Sequence, residues 1–203
     1  MDNKALYKLT YGLFLLTSKE DKKDNGCIIN TAIQVANNPT RISIAVQKNN
    51  FTHDMVLATN MFNVSSISTT ADFELFKRFG MQSGKNINKF EGFADVNRSE
   101  NGILYLTKAS NMYMSCKVTE HFDLGSHTLF IAELTDAQVL SEDASCTYGF
   151  YQSNIKPQPT PTPKNEKRSW TCSVCGYIYE GNEVPNDFKC PLCHHGKEDF
   201  VLV

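Results

Sequence analysis

The chain has 203 residues and a formal net charge of −2, and its composition, 41% hydrophobic and 21% charged, is typical of soluble globular proteins. This length suffices for one domain of about 150 residues plus a small one. The near-neutral charge gives no argument for nucleic acid or an anionic membrane as a partner. The apolar run Leu13–Leu16 is far shorter than a membrane span or a signal-peptide core, so we expect a cytoplasmic location.

The first three quarters of the chain mix β-type segments with a few helical ones. Alternation and β-branched content predict strands over residues 12–17, 27–35, 42–47, 62–68, 103–107, 112–119 and 128–135. Helices are predicted over residues 52–60 and 72–79, with Thr52 and Asp72 near their N-caps. Asp24–Gly26 predicts the turn between the first two strands. This pattern predicts a mainly β fold, a closed or split barrel, and not a doubly wound sheet.

Residues 154–168 form the clearest boundary, because four prolines alternate there with Gln and Thr before a charged run. Such a stretch cannot continue a helix or an inner strand, and it should be extended and semi-rigid. We therefore predict a first domain over residues 1–153, a linker over 154–168 and a small domain over 169–203. The linker is either a passive spacer or a tether that lets the small domain visit two sites.

Two Cys-x-x-Cys pairs lie in the small domain, and each can present two thiolates to one metal ion. Four thiolates in a tetrahedral arrangement hold zinc or iron, and the spacing alone favours zinc. A zinc site would be structural, whereas an iron site would carry one electron. His194 or His195 is an alternative ligand, although four thiolates already complete the site. The predicted metal ligands are Cys172, Cys175, Cys190 and Cys193.

The residues around these cysteines resemble rubredoxins, the one-iron electron-transfer domains, and this resemblance implies iron. It rests on Cys172–Tyr179, on Cys190-Pro-Leu-Cys193 and on Gly196–Phe200. His194 stands where a glycine is usual, in a turn that we expect to require a positive φ. So small a unit needs the metal and an aromatic core to fold. The predicted core residues are Trp170, Tyr177, Tyr179, Phe188 and Phe200.

Four motifs in order resemble the flavin reductase-like family, the FMN-binding split barrels, over roughly residues 6–152. They are Cys27–Val35 with Ile42–Lys48, then Thr52–Val56, then Arg78–Phe90, then Gly125–Leu134. Departures from the family pattern are Ser126 for Asp, Ala132 for Gly and Asn38-Pro39 for Pro-Pro. The resemblance implies FMN as cofactor and NAD(P)H as electron donor.

Within these motifs, amide and hydroxyl groups suit the polar edge of the flavin ring, while Lys48, Asn49 and a helix N-terminus suit its phosphate. His127, at a strand start, is the candidate catalytic residue near the flavin or nicotinamide. Each of these residues also has an alternative without a role in cofactor binding. Thr31 and Gln34 could be ordinary polar residues of the barrel, Lys48 a solvated surface charge, and His127 a structural residue. The candidate cofactor-binding residues are Asn30, Thr31, Gln34, Val46, Gln47, Lys48, Asn49, Thr52, His53, Ser83, Gly84 and Lys85.

Together the two resemblances are those of high-molecular-weight rubredoxins, in which an NAD(P)H-dependent flavin reductase carries its own rubredoxin. They imply hydride transfer to FMN, single electrons passed to iron, and a flavodiiron protein as partner that removes oxygen or nitric oxide in an anaerobe. They also imply a homodimer with FMN at the subunit interface. Glu180 and Glu198–Asp199 either steer docking or form a solvated face.

Two other functions are compatible with parts of the sequence. One is a flavin-binding scaffold or sensor with a structural zinc ribbon. The other is a flavin reductase that releases reduced flavin to a monooxygenase, for which the metal domain would be superfluous. No motif for binding a 2′-phosphate can be recognised, so the sequence does not distinguish NADH from NADPH as the electron donor.

Overall fold

A computed structural model describes residues 2–158 and 168–203. Seven strands of the larger unit form one antiparallel sheet in the order β2-β1-β5-β8-β9-β4-β3, and β6 and β7 form a separate ribbon. The strands are β1 (Phe14–Glu20), β2 (Lys23–Ile29), β3 (Ala32–Asn37), β4 (Thr40–Gln47), β5 (Met61–Ile67), β6 (Val96–Arg98), β7 (Leu104–Leu106), β8 (Ser110–Asp123) and β9 (His127–Val139).

The helices lie outside this sheet. They are α1 (Phe51–Thr59), α2 (Phe73–Gly80) and α3 (Tyr148–Phe150), with a 3-10 helix at Asn3–Lys8. Helix α3 continues as a π-helical segment over Tyr151–Ile155, which extends into the predicted linker. Most of that linker lies outside the described residues. None of the helices in residues 2–158 and 168–203 has the length and apolar character that crossing a bilayer requires.

The sheet curls into a barrel around one core. Cys27 and Ile29 of β2 pack in the same cluster as Ile42 and Ile44 of β4, although these strands lie near opposite ends of the sheet order. Phe130 of β9 is fully buried between them. The prediction of a mainly β split barrel with a few helices is therefore confirmed.

A second core lies outside the barrel, beneath α2. The helix buries Leu75, Phe76 and Phe79 from one face. Asp72 is its N-cap, as predicted, and its Oδ1 accepts a hydrogen bond from the Leu75 N–H at 3.1 Å. The buried face fixes the direction of α2, and therefore the position of the loop that follows it.

The turn between the first two strands lies earlier than predicted. Asp21 and Lys22 form it, and Asp21 takes a positive φ of 51°. The predicted turn residues Asp24–Gly26 instead lie inside β2. The Asp24 carboxylate accepts two hydrogen bonds from Arg98, each of 2.8 Å, in place of a local turn bond. The prediction was wrong because turn-forming side chains are used here in contacts across the fold.

The segment predicted as one strand over residues 27–35 is two strands. β2 ends at Ile29 and β3 begins at Ala32. Between them, the Thr31 hydroxyl donates to the Ala45 carbonyl at 2.8 Å and accepts from the Ala45 N–H at 3.2 Å. This bonding to β4 fixes a corner that a sequence rich in β-branched residues does not reveal.

Helix α1 also begins differently from the prediction. Its N-cap is Asn50, whose Oδ1 accepts from the Thr52 N–H at 3.0 Å. Thr52 is fully buried, and its hydroxyl accepts from Asn25 Nδ2 at 3.0 Å. A buried polar network therefore joins α1 to β2.

The small domain over residues 169–203, which we call the metal domain, is a three-stranded sheet. Its strand order is β11-β10-β12, and a 3-10 helix lies at Lys197–Asp199. Its strands are β10 (Ser169–Cys172), β11 (Ile178–Glu180) and β12 (Phe200–Leu202). Phe188 contacts Tyr177, Tyr179 and Phe200, with ring centroids 6.4, 4.7 and 5.4 Å away. Trp170 packs against the same cluster, so the predicted aromatic core is confirmed.

The loop after α2 approaches the barrel closely at Gly84. A Cβ atom at Gly84 would lie 2.1 Å from Asn25 Oδ1 and 2.5 Å from its Cγ. Asn25 is buried and bonded to Thr52, so it cannot move aside freely. We predict that Gly84→Ala lowers the free energy of unfolding by about 1–3 kcal/mol through overpacking, as measured by urea denaturation.

Gly149→Ala is the matched control. A Cβ atom there meets only Thr147 Oγ1, at 3.9 Å, which is an ordinary contact. The control should change the free energy of unfolding by less than about 1 kcal/mol. Equal stabilities for Gly84→Ala and the wild type would show that the loop does not press on Asn25 in solution.

Candidate functional site

Four buried cysteine sulfurs form a compact group, which we call the cysteine cage. All four Sγ atoms lie within 4.8 Å of one another, with 3.6 Å between Cys172 and Cys193 and 3.4 Å between Cys175 and Cys190. Four thiolates bound tetrahedrally at about 2.3 Å would place their sulfurs about 3.8 Å apart. The cysteine cage therefore fits one tetrahedral metal ion with soft ligands, which is zinc or iron.

Backbone hydrogen bonds shape both cysteine turns in the same way. The Gly176 N–H donates to the Cys172 carbonyl and the His194 N–H donates to the Cys190 carbonyl, each at 2.8 Å. Gly176 has φ 81° and His194 has φ 60°, which confirms the positive φ predicted for His194. His195 Nδ1 lies 3.1 Å from the backbone carbonyl oxygen of Cys193. Among the described residues, the potential metal-binding group contains neither histidine.

The metal domain packs against the C-terminal end of α2. Met81, which follows that helix, belongs to the same hydrophobic cluster as the four cysteines, Val184 and Phe200. Met81 is only 9% exposed. The barrel unit and the metal domain therefore share one hydrophobic cluster.

A cavity of about 350 Å³ lies where the second cysteine turn meets the barrel, and we call it the interdomain cavity. Its barrel side comes from the segment between β4 and α1 and from the loop after α2. Cys193 and His194 line its other side. The volume falls within the range of about 300–1,000 Å³ that is usual for ligand pockets.

Four of the predicted cofactor contacts meet in this cavity. Gln47 and Asn49 come from the end of β4, and Ser83 and Gly84 come from the later loop. Their amide, hydroxyl and backbone groups can bind a phosphate or the polar edge of a flavin ring, and Phe51 provides an apolar surface. The residues present therefore fit a flavin.

Lys89 adds a buried positive charge to the cavity lining. It is 3% exposed, and its Nζ donates to the carbonyls of Gly26 at 2.9 Å and Phe79 at 3.0 Å. Burial lowers the pKa of Lys89, while the nearby Cys27 opposes this change. Within residues 2–158 and 168–203 it forms no ion pair. Such an ammonium can attract an anionic group into the cavity.

Two predicted lysine contacts form ion pairs on the surface. Lys48 Nζ lies 2.6 Å from Asp123 Oδ1, and Lys85 Nζ lies 3.5 Å from Asp54 Oδ2. The hydrogen bond from Lys48 lowers the pKa of Asp123. Neither lysine belongs to the lining of the interdomain cavity in the described parts of the chain. Their roles in cofactor binding stay predictions.

His53 lies inside the protein. It is 5% exposed, with Nε2 2.8 Å from Thr128 Oγ1 and Nδ1 3.0 Å from Asp54 Oδ1. Thr52, the residue before it, is bonded to Asn25 as described above. Contact of either side chain with a phosphate stays a prediction and would require these hydrogen bonds to rearrange.

The remaining candidates lie on the barrel. Asn30 is half-buried at the corner between β2 and β3, and the Thr31 hydroxyl bonds Ala45. Gln34 is exposed and donates to the Ala36 carbonyl of its own strand. The Val46 side chain is in the barrel core, and its backbone pairs with Thr128 of β9. These four contacts stay predictions.

His127, the candidate catalytic residue, begins β9 directly opposite Gln47 of β4. Residues opposite each other in an antiparallel pair share one face of the sheet, so His127 lies beside a residue of the cavity lining. Its Nδ1 is 2.9 Å from Ser126 Oγ. Its catalytic role stays a prediction.

Sequence reasoning missed several cavity residues. Asn50 could have been found, because an asparagine just before a helical segment is a common N-cap. Lys89 lies within the motif Arg78–Phe90, and the sequence gives it no separate signal. Phe51 and Met81 carried no local signal, since their exposure to the cavity depends on where α2 and the metal domain lie.

Comparison with known proteins agrees with this two-part arrangement. Residues 6–158 match the family described as flavin reductase like domain, and residues 170–201 match the rubrerythrin, rubredoxin-like domain. The first match alone covers more than half of the chain.

Similar proteins include a high molecular weight rubredoxin from Moorella thermoacetica, which is 32% identical with 100% of both chains covered. A ferric-chelate reductase (NAD(P)H) from Archaeoglobus fulgidus is 33% identical over 79% of this chain and 94% of its own. The solved structure of the NADH:FAD oxidoreductase SgcE6 from Streptomyces globisporus gives a TM-score of 0.63 at 18% identity, covering 70% of this chain and 84% of its own. This last likeness shows a common fold.

The two family matches and the cysteine cage define the cofactors. The barrel family uses flavin with NAD(P)H as electron donor, and a rubredoxin-like domain with four cysteines holds iron. The chain therefore belongs to the flavin reductase-like family of NAD(P)H-dependent flavoprotein oxidoreductases and carries a rubredoxin-like iron domain.

Proposed function

We propose that this protein carries electrons from NAD(P)H, by way of FMN, to the iron of the cysteine cage, and from there to a flavodiiron protein. The observation that carries the proposal is the interdomain cavity, where Gln47 and Ser83 of the barrel face Cys193 and His194. A bound flavin accepts an electron pair as hydride and can release electrons singly, which suits a one-electron iron centre.

Residues of this chain have distinct tasks in that scheme. Asn49 and Ser83 offer hydrogen-bond donors to a phosphate, the dipole of α1 favours an anion at its N-terminus, and Lys89 adds positive charge. Phe51 and Met81 supply apolar surface beside the cysteine cage, which limits the access of water. The cavity therefore combines anion binding with a short approach to the metal ligands.

The flavodiiron partner, and the removal of oxygen or nitric oxide in an anaerobe, are the finer part of the proposal. They rest on the family resemblance. Glu180 and Glu198 of the metal domain are exposed, and Asp199 is partly exposed. These carboxylates would steer the protein toward a basic docking surface and raise the association rate at low salt.

The first prediction concerns electron flow. Anaerobic addition of NADH or NADPH to the purified protein should bleach the flavin bands first and the ferric tetrathiolate bands afterwards. The measurement is stopped-flow absorption with the iron and zinc content determined alongside. Adding a flavodiiron protein and its oxidising substrate should then restore the ferric bands.

Other outcomes would point elsewhere. Zinc in place of iron in natively expressed protein would favour the flavin-binding scaffold. Iron bands that stay oxidised while the flavin bleaches would contradict transfer between the two centres. Loose flavin that leaves on dilution would favour a reductase serving a monooxygenase.

The second prediction concerns the cysteine cage. Cys175→Ser should lower the iron content at least about tenfold, because an alcohol replaces a thiolate ligand in a tetrahedral sulfur site. Flavin reduction by NADH should continue. Cys116→Ala is the control, since Cys116 is a buried cysteine of the barrel core outside the cage. Iron loss in the control, or full iron retention in Cys175→Ser, would contradict the assignment.

We further propose a homodimer, which the apolar surface of β3 supports. β3 is an edge strand of the sheet, and its Ile33 and Val35 are 63% and 48% exposed. An exposed apolar edge strand is usually covered by a partner. A second copy of the chain would cover it.

The third prediction tests this arrangement. Val35→Lys should weaken dimerisation at least about tenfold, because a buried unpaired ammonium is costly. Sedimentation over a range of protein concentrations measures the effect. Val201→Lys, at an exposed position of the metal domain, is the control and should leave the dimer intact. A dimer that survives Val35→Lys would place the interface elsewhere.

A further inference from the structure

The barrel extends to the cysteine cage at a second place, remote in sequence from Met81. The π-helical segment Tyr151–Ile155 ends at Lys156, whose N–H donates to the Tyr151 carbonyl at 2.8 Å. The Tyr151 ring packs on Phe76 of α2, with centroids 4.4 Å apart. Gln158 Nε2 donates back to the Gln152 carbonyl at 2.6 Å. The backbone at Lys156 is therefore held by the barrel.

The side chain of Lys156 reaches the first cysteine turn. Its Nζ donates a hydrogen bond to the carbonyl of Ser173, which lies between Cys172 and Cys175. The next residue, Pro157, approaches the same turn so closely that a Cβ atom at Gly176 would lie 2.9 Å from the Pro157 carbonyl oxygen. The end of the barrel unit thus lies directly on one half of the cysteine cage.

The charge of Lys156 is local to the cage. Burial lowers the pKa of Lys156, while the sulfurs of Cys172, Cys175 and Cys193 raise it. Within the described parts of the chain, Lys156 takes part in no ion pair with a carboxylate. The lysine is half-buried, so solvent screens its charge less than it would at an open surface.

We propose that Lys156 is a positioning and charge-tuning residue that favours the reduced state of the iron while the metal domain rests on the barrel. Four thiolates with ferric iron carry one net negative charge, and the same cage with ferrous iron carries two. Adding one electron, supplied by NAD(P)H in the proposed function, breaks no bond and increases the attraction to a nearby ammonium. Net charge and hydrogen bonding around the cluster are established determinants of its potential.

This inference rests on the proposed function and adds a preferred direction of electron transfer to it. Contact with the barrel makes the iron a better electron acceptor. A metal domain displaced from the barrel would lose this charge, and its iron would become a better donor to the next protein. Lys156 thus links the position of the domain to the direction of electron transfer.

The test is the reduction potential of the iron in the full-length, iron-loaded protein, measured anaerobically by spectroelectrochemical titration with mediators. Lys156→Gln should lower the ratio of ferrous to ferric iron at a fixed ambient potential by about tenfold, which is about 59 mV for a one-electron couple. Lys156→Arg keeps the charge and should stay within about twofold of the wild type. Lys108→Gln is the control, because Lys108 is an exposed barrel lysine paired with Asp95 at 2.8 Å.

The inference would be overturned if the reduction potential were unchanged in Lys156→Gln. It would also be overturned if the potential fell as far in Lys156→Arg as in Lys156→Gln, because the charge would then have no effect. Iron content and urea denaturation establish that each variant is folded and loaded. The mediators set the potential independently of NADH. Wild-type iron that NADH fails to reduce would therefore contradict the proposed function, while an unshifted Lys156→Gln would contradict this inference alone.

Discussion

The contact between the C-terminal end of α2 and the cysteine cage is the constraint on which the site depends. Burial of Leu75, Phe76 and Phe79 fixes α2 on the barrel, and the chain leaves the helix with Met81 directed into the metal domain. Tyr151 packs on the same helix, so one apolar face positions both Met81 and the segment that carries Lys156. Packing of a single short helix therefore sets where the cysteine cage lies relative to the barrel.

The other side of the interdomain cavity depends on polar groups inside the barrel. Asn25 bonds Thr52 at the start of α1 and lies directly against Gly84 of the later loop. The start of α1 and the loop after α2 thus meet at one buried amide. A buried polar network of this kind is costly when incomplete, so the Asn25–Thr52 bond favours one arrangement of this wall of the cavity.

Features set by local patterns could be predicted from the sequence, and features set by long-range contacts could not. The spacing of Cys172 to Cys193 predicts the cage, and the aromatic set around it predicts the small core. Alternating strands predict the barrel. The turn at Asp21, by contrast, leaves Asp24 inside a strand, where it pairs with Arg98, far along the chain. Packing of whole elements likewise determines that His53 Nε2 contacts the Thr128 hydroxyl. It also determines that Lys89 Nζ bonds the Gly26 carbonyl.

His194 adopts an unfavourable backbone conformation in a turn that lines the interdomain cavity. A glycine would adopt φ 60° without penalty, whereas a histidine held there stores on the order of 1 kcal/mol. In return, an imidazole and not a hydrogen atom stands beside Cys193 on the wall of the interdomain cavity. A group that can donate or accept a hydrogen bond is thereby brought next to the cavity, at a turn where glycine would offer only its backbone.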